Sequence, residues 1–220
     1  MKGKLTLLFL FLLIIISGDS SWAHTINYAL ESKPEGHVFG YYTGVGFTHI
    51  LPYGYDHLLF ILGIFLLNSQ LKPMLMQATF FTLAHSVTLI MTANDSLVSV
   101  PEIVEPLIAI TILFIAIENI YIKEVSRFRY LLVFVFGLIH GMGFAGALSE
   151  IGLPRDSFYT ALIGFNFGVE LGQITFILAV YFTLGLLRNY SWYRSKVAIP
   201  LSVAIGLIAI WWSIERIGWV

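Results

Sequence analysis

His49-x6-Asp56-His57 stands at the head of an apolar run, and the chain carries further ionisable or amide side chains where lipid-soluble segments are expected. These are His85 with Ser86, Glu118 with Asn119, His140, and the trio Asn166, Glu170 and Gln173. An ionisable group inside hydrocarbon costs at least about 2.5 kcal/mol by insertion scales. One buried histidine reads as a hydrogen-bonded structural group. Three acids and three histidines spread over five apolar segments read as a set that acts on something charged. Neutral imidazole with carboxylate is the ligand set that borderline divalent ions such as Ni, Co and Zn prefer. The chain has no cysteine, so any metal here is held by nitrogen and oxygen. The spacing i, i+4, i+7 puts Asn166, Glu170 and Gln173 on one helix face.

The elements that must position these groups are membrane helices. Of the 220 residues 58% are hydrophobic and only 11% charged, with a mean hydropathy of +0.85, which excludes an ordinary soluble domain. The net charge of -1 and the lack of a dense Lys/Arg cluster exclude nucleic acid as a partner. Residues 1–23 read as a cleavable signal peptide: Lys2 and Lys4, an apolar run, then Ser21-Trp22-Ala23 before the cut. Cleavage there would make His24 the first residue, whose amine and imidazole can together chelate a cation. Residues 24–220 then form one transmembrane domain. Apolar stretches at 53–68, 73–92, 103–122, 130–149, 158–187 and 197–213 predict six transmembrane helices. Residues 38–51 predict a short re-entrant or half helix before them, broken at Pro52 and Gly54. The fold class is thus an all-α polytopic membrane helix bundle.

A cleaved signal puts the mature N-terminus outside, and the loops agree with the positive-inside rule. Lys72, then Lys123, Arg127 and Arg129, then Arg188, Arg194 and Lys196 fall inside, whereas Asp95 and Glu102, then Arg155 with Asp156, and the tail's Glu215 with Arg216 fall outside. The expected location is a bacterial-type cytoplasmic membrane. At about 1.5 Å per residue, this topology predicts a ladder of ligands, from His57 about 5 Å below the outer boundary, through His85, Asn166, His140 and Glu170, to Glu118 about 23 Å deep. Glycines at 137, 141, 164, 168 and 172 predict close packing of the fourth span on the fifth. Phe81-x-Leu-x-His85 and Phe136-x-Leu-x-His140 echo one another and hint at an internal repeat.

Several of these stretches carry a family resemblance: His49-x6-Asp56-His57-Leu-Leu-Phe, Phe81-Thr-Leu-Ala-His85-Ser, Val104-Glu105-Pro-Leu-Ile-Ala, Phe136-Gly-Leu-Ile-His140-Gly-Met-Gly-Phe-Ala-Gly and Phe165-Asn166-x3-Glu170-Leu-Gly-Gln173. Together they resemble the HupE/UreJ family of hydrogenase and urease accessory membrane proteins, in particular its second branch. The resemblance implies a nickel or cobalt permease, with His49, Asp56, His57 and His140 as metal-handling positions and metalloenzyme maturation machinery as a partner. The nickel-permease branch usually carries two histidines and a glutamate around the His140 motif. This chain has Phe136 and Gly143 at the other two places, leaving His85 and Glu170 as replacements. Two other readings stay open. One is an intramembrane zinc hydrolase built on Asp56, His57, His85 and His140 with Ser86 nearby. The other is an accessory protein that binds metal without moving it. The residues do not specify an oligomeric state.

Overall fold

The computed structural model describes residues 30, 32–67, 70–94, 96–123, 128–154 and 156–218, with the backbone alone for 145–147, 149 and 150. The expected signal peptide and His24 lie outside the described residues. The described chain is all-helical: α1 (Glu35–Ile50), α2 (Tyr55–Leu67), α3 (Leu71–Ala93), α4 (Pro101–Tyr121), α5 (Phe128–Ile151), α6 (Phe158–Thr183) and α7 (Ile199–Ile217). A short 3-10 turn (Leu184–Leu187) follows α6 and a π-helical turn (Arg194–Ala198) leads into α7.

Four of these segments, Leu71–Ala93, Pro101–Tyr121, Phe158–Leu187 and Arg194–Ile217, are long and apolar enough to cross a membrane. The bent pair Glu35–Ile50 and Tyr55–Leu67 passes the same test only as one unit, with a 65° bend, and Phe128–Phe144 is a shorter apolar helix. The outer surface is consistent with lipid contact. Ile103, Leu107, Ile110, Phe114 and Ile117 form an exposed apolar stripe at helical spacing along α4, as Leu207, Ile210, Trp211 and Ile214 do along α7.

Helix α2 is apolar all round, and every residue from His57 to Leu66 is buried. At 13 residues it covers only about 20 Å. It is therefore the axis of the bundle, surrounded by the other helices. Asn119 clips it to α4 by donating from Nδ2 to the Gly63 carbonyl at 2.8 Å. The chain turns back sharply between α1 and α2. A Cβ on Gly54 would collide with the carbonyl oxygen of His49 and come within 2.9 Å of the Ile50 Cα, so only glycine permits a turn this tight.

Two parallel helix pairs flank the axis. Helix α1 lies along α6, where Gly164 faces Phe39, Gly168 faces Thr43 and Phe47, and Gly172 faces Ile50. Helix α3 lies along α5, where Gly137 faces Phe81 and Ala84, and Gly141 faces His85 and Thr88. The expected packing of the fourth span on the fifth is corrected here. Their glycines do admit close backbones, but each row receives a different partner: α3 for the fourth span and α1 for the fifth. Helices α4 and α7 pair antiparallel, with Gly206 against Ala116 and Leu113.

Close approach along α1 and α6 makes Gly168 intolerant of a side chain. A Cβ there would overlap the Thr43 carbonyl oxygen and sit 2.7 Å from the Phe47 amide. Both neighbours are backbone and cannot rotate away. Gly168→Ala is expected to cost at least about 2 kcal/mol, visible as a lower unfolding midpoint in detergent. A midpoint equal to that of the unsubstituted protein would contradict this packing.

Candidate metal centre

Four of the six histidines in the sequence meet at the heart of the bundle. His49 ends α1, His57 opens α2, His85 lies in α3 and His140 in α5. The sharp return at Gly54 is what sets the first two beside one another, with ring centroids 4.8 Å apart. His57 then stands 6.0 Å from His85 and 5.3 Å from His140. One ring nitrogen from each of His49, His57 and His85 lies within 4.8 Å of the others. A tetrahedral ion with bonds of about 2.1 Å needs its ligand nitrogens about 3.4 Å apart. A contraction of little more than 1 Å would therefore close the trio, with His140 at its side.

The hydrogen bonds around the rings prepare them as ligands. His140 donates from Nδ1 to the Phe136 carbonyl at 2.7 Å. Asn166 donates from Nδ2 to the Leu162 carbonyl at 2.9 Å, which fixes its amide so that Oδ1 accepts from His85 Nδ1 at 3.4 Å. A ring whose Nδ1 carries the proton presents a bare lone pair at Nε2. All four Nε2 atoms, on His49, His57, His85 and His140, are buried and lack a hydrogen-bond partner. Buried polar atoms are nearly always paired, so four bare imidazole nitrogens gathered in one place could serve together as ligands to a cation.

Phenylalanines enclose the rings. Phe144 lies tilted against His49 with ring centroids 3.9 Å apart, Phe81 lies 4.9 Å from His140, and Phe165 packs on both His49 and His85. On one side the cluster opens into a mouth of about 390 Å³, lined by His49, Asp56, His57, Glu105, His140 and Arg216 among others. Arg216 donates from Nη2 to both Asp56 carboxylate oxygens, at 3.1 and 3.2 Å, and from Nη1 to the Glu105 carbonyl. Its guanidinium also covers the Trp212 ring.

The acids do not join the imidazoles. Asp56 is paired with Arg216. Glu118 accepts from Arg129 Nη1 at 2.8 Å, while Arg129 Nε donates to Gln77 Oε1 at 3.2 Å. Glu170 accepts from the Thr79 hydroxyl at 2.7 Å. The expected ladder is thus replaced by a compact cluster. The estimate from helical rise treated every span as straight and parallel, whereas the bent α1–α2 pair carries His49 and His57 down to the level of His85. Arg129, expected in a loop, is fully buried. Ser86 donates its hydroxyl to the Thr82 carbonyl, and Asp56 is held by Arg216. Of the zinc-hydrolase constellation, His57, His85 and His140 do come together, whereas Ser86 and Asp56 have their own hydrogen-bond partners, Thr82 and Arg216.

Sequence reasoning gave Arg216 only as a tail charge, Glu105 only within a family motif and Gln173 only as part of a helix face, and it passed over Gln77. A lone arginine near the end of the last apolar span was the available signal for the first of these.

No curated protein and no solved structure matches the chain. A family model described as HupE / UreJ protein matches residues 24–216, and the stretches that carry His49, Asp56, His57, His85, His140 and Asn166 all fall inside that range. The match takes in the apolar helices and the buried histidine cluster alike and settles the class of molecule: the chain belongs to the HupE/UreJ family, membrane proteins of the nickel and cobalt accessory or permease-like kind.

Proposed function

We propose that this protein is a permease that carries a divalent transition-metal cation, nickel or cobalt, across the cytoplasmic membrane. The observation that carries the reading is the convergence of four unpartnered imidazole nitrogens, from four helices, beside an open mouth. The mouth and the adjoining recess bring Asp56, Glu102, Glu105 and Glu215 together around a single arginine, a surface that concentrates cations. An arriving ion competes with Arg216 for Asp56, sheds water and passes to the rings.

The cluster contains neutral imidazoles and no carboxylate. A doubly charged ion held there has no fixed counter-charge in a low-dielectric surrounding, which disfavours permanent residence. Transit suits such a site better than a resident cofactor does.

The distribution of charges supports one orientation. Arg194 donates to the Ile120 carbonyl, so Lys123, Arg194 and Lys196 share the end of the bundle opposite Arg216, and Lys72 starts α3 at that same end. By the positive-inside rule this is the cytoplasmic end and the mouth faces outward. Uptake would then draw on the membrane potential, worth about 4.6 kcal/mol for a divalent ion per 100 mV.

Asn166 bears on the same reading through His85. Asn166→Leu removes the acceptor that fixes the ring tautomer, and loss of such a partner typically weakens metal affinity 10- to 100-fold. Equilibrium dialysis with nickel is expected to show a drop in that range while the protein remains inserted. Unchanged affinity would remove Asn166 from the site.

The test is radiometal uptake into proteoliposomes holding an inside-negative potential, compared across Ni, Co, Zn and Cu. Accumulation of nickel or cobalt above protein-free liposomes is expected. Stoichiometric binding without accumulation would favour a metal-binding accessory role. Tightly held zinc that survives purification would favour the hydrolase.

A further inference from the structure

On the side of the cluster away from the mouth lies a small void lined by His57, Phe60, Met74, Ala78, Phe81 and Gln173, among others. It measures about 10 Å³, room for the centre of a single water-sized particle. Gln173 is 1% exposed. Both polar atoms of its side chain, Oε1 and Nε2, are buried without a hydrogen-bond partner. A carboxamide can make several hydrogen bonds, and leaving all of them unmade in a dry interior is costly. Nothing else around this void is polar except His57. The pairing is therefore specific: one orphaned amide and one orphaned imidazole border the same single-particle space.

His57 is also the one residue common to this void and the mouth. The ring of His57 thus stands between the mouth and the inner space. Phe60, Phe81, Ile64 and Met74 also line the inner space, and its volume of about 10 Å³ leaves no room for a hydration shell.

We propose that Gln173 is a second cation station, in which its carboxamide oxygen and the His57 imidazole hold a dehydrated divalent ion on the cytoplasmic side of the histidine cluster. This rests on the permease reading and deepens it. An amide oxygen is a weaker ligand for a borderline ion than imidazole, so an ion moved from three nitrogens to one nitrogen and one oxygen is more loosely held and ready to leave. The station is oxygen-bearing but uncharged, which keeps it from becoming a trap.

Gln173→Leu keeps the side-chain bulk and removes the ligand. Cobalt(II) binding to the purified variant in nanodiscs is expected to keep its visible absorption bands and an affinity within twofold, because the histidine cluster is untouched. Cobalt uptake into proteoliposomes is expected to fall at least tenfold. Gln173→Glu, which puts a charge in the void, is expected to bind cobalt more tightly and release it more slowly, so that uptake falls while bound metal rises. A merely structural glutamine would not separate binding from uptake in these opposite ways. Uptake by Gln173→Leu within twofold of the unsubstituted protein, in preparations where His57→Ala abolishes uptake, would overturn the second station and leave the permease reading standing. Full uptake by His57→Ala would overturn both. Should Gln173→Leu fail to insert, Gln173→Asn decides: its amide is withdrawn from the void by one methylene, so reduced uptake supports the station and unchanged uptake rejects it.

Discussion

His57→Ala is expected to lower initial nickel or cobalt uptake at least 100-fold while the protein still inserts and unfolds cooperatively. The ring lies next to all three of its fellow histidines, with centroids at 4.8 Å from His49, 6.0 Å from His85 and 5.3 Å from His140. It is one of the three residues whose ligand nitrogens come within 4.8 Å of one another. It also borders both the mouth and the inner void. Its removal subtracts a ligand nitrogen and takes away the one side chain, among the described residues, that lines both spaces. The effect on folding is small by comparison. Nε2 has no partner to strand, so the loss relieves an unsatisfied polar group and leaves a cavity worth about 1–3 kcal/mol. His37, exposed at the start of α1, is the matched control, and His37→Ala is expected to transport normally. Uptake by His57→Ala above half the unsubstituted rate would contradict the role given to the ring.

The second large effect concerns stability. Arg129 and Glu118 form an ion pair at 2.8 Å whose side chains are 0% and 9% exposed. Gln77 accepts one further bond from the guanidinium. Glu118→Leu would leave a buried cation with no counter-charge, at a cost on the order of 3–5 kcal/mol. Removing both charges at once, in Glu118→Leu with Arg129→Met, is expected to restore most of that loss, because apolar replacements of similar volume are often neutral. Chemical unfolding in detergent would measure both. A single variant destabilised by less than about 1 kcal/mol would show that the pair is not closed as described. The same comparison separates structure from transport. Glu118 is the deepest rung of the ligand ladder expected from the sequence, but its carboxylate is paired with Arg129, so the double variant is expected to retain uptake.

The helical character of the chain and the polar residues that matter were legible in the sequence because ionisable groups stand out against an apolar background. Their arrangement was not. Linear rise along straight helices spreads His57, His85 and His140 over several depths, and only the 65° bend between α1 and α2 folds His49 back to the others. Gly54 and Pro52 announced a break without its angle. The glycine rows announced close packing without naming partners, so Gly137 and Gly141 were matched to the wrong helix. Arg129 looked like a loop charge from its position beside Arg127. Its burial depends on Glu118, which lies 11 residues earlier and on another helix. Arg216 and Asp56 are separated by 160 residues, and nothing in local spacing joins them.

The central claim is that imidazoles from four helices take hold of the passing cation. X-ray absorption at the metal edge of the nickel- or cobalt-loaded protein tests it most directly. The account predicts at least three imidazole nitrogens at about 2.0–2.1 Å, with the outer-shell scattering characteristic of histidine rings and a nitrogen count that falls in His57→Ala. A shell made of oxygen alone, unchanged in that variant, would contradict it.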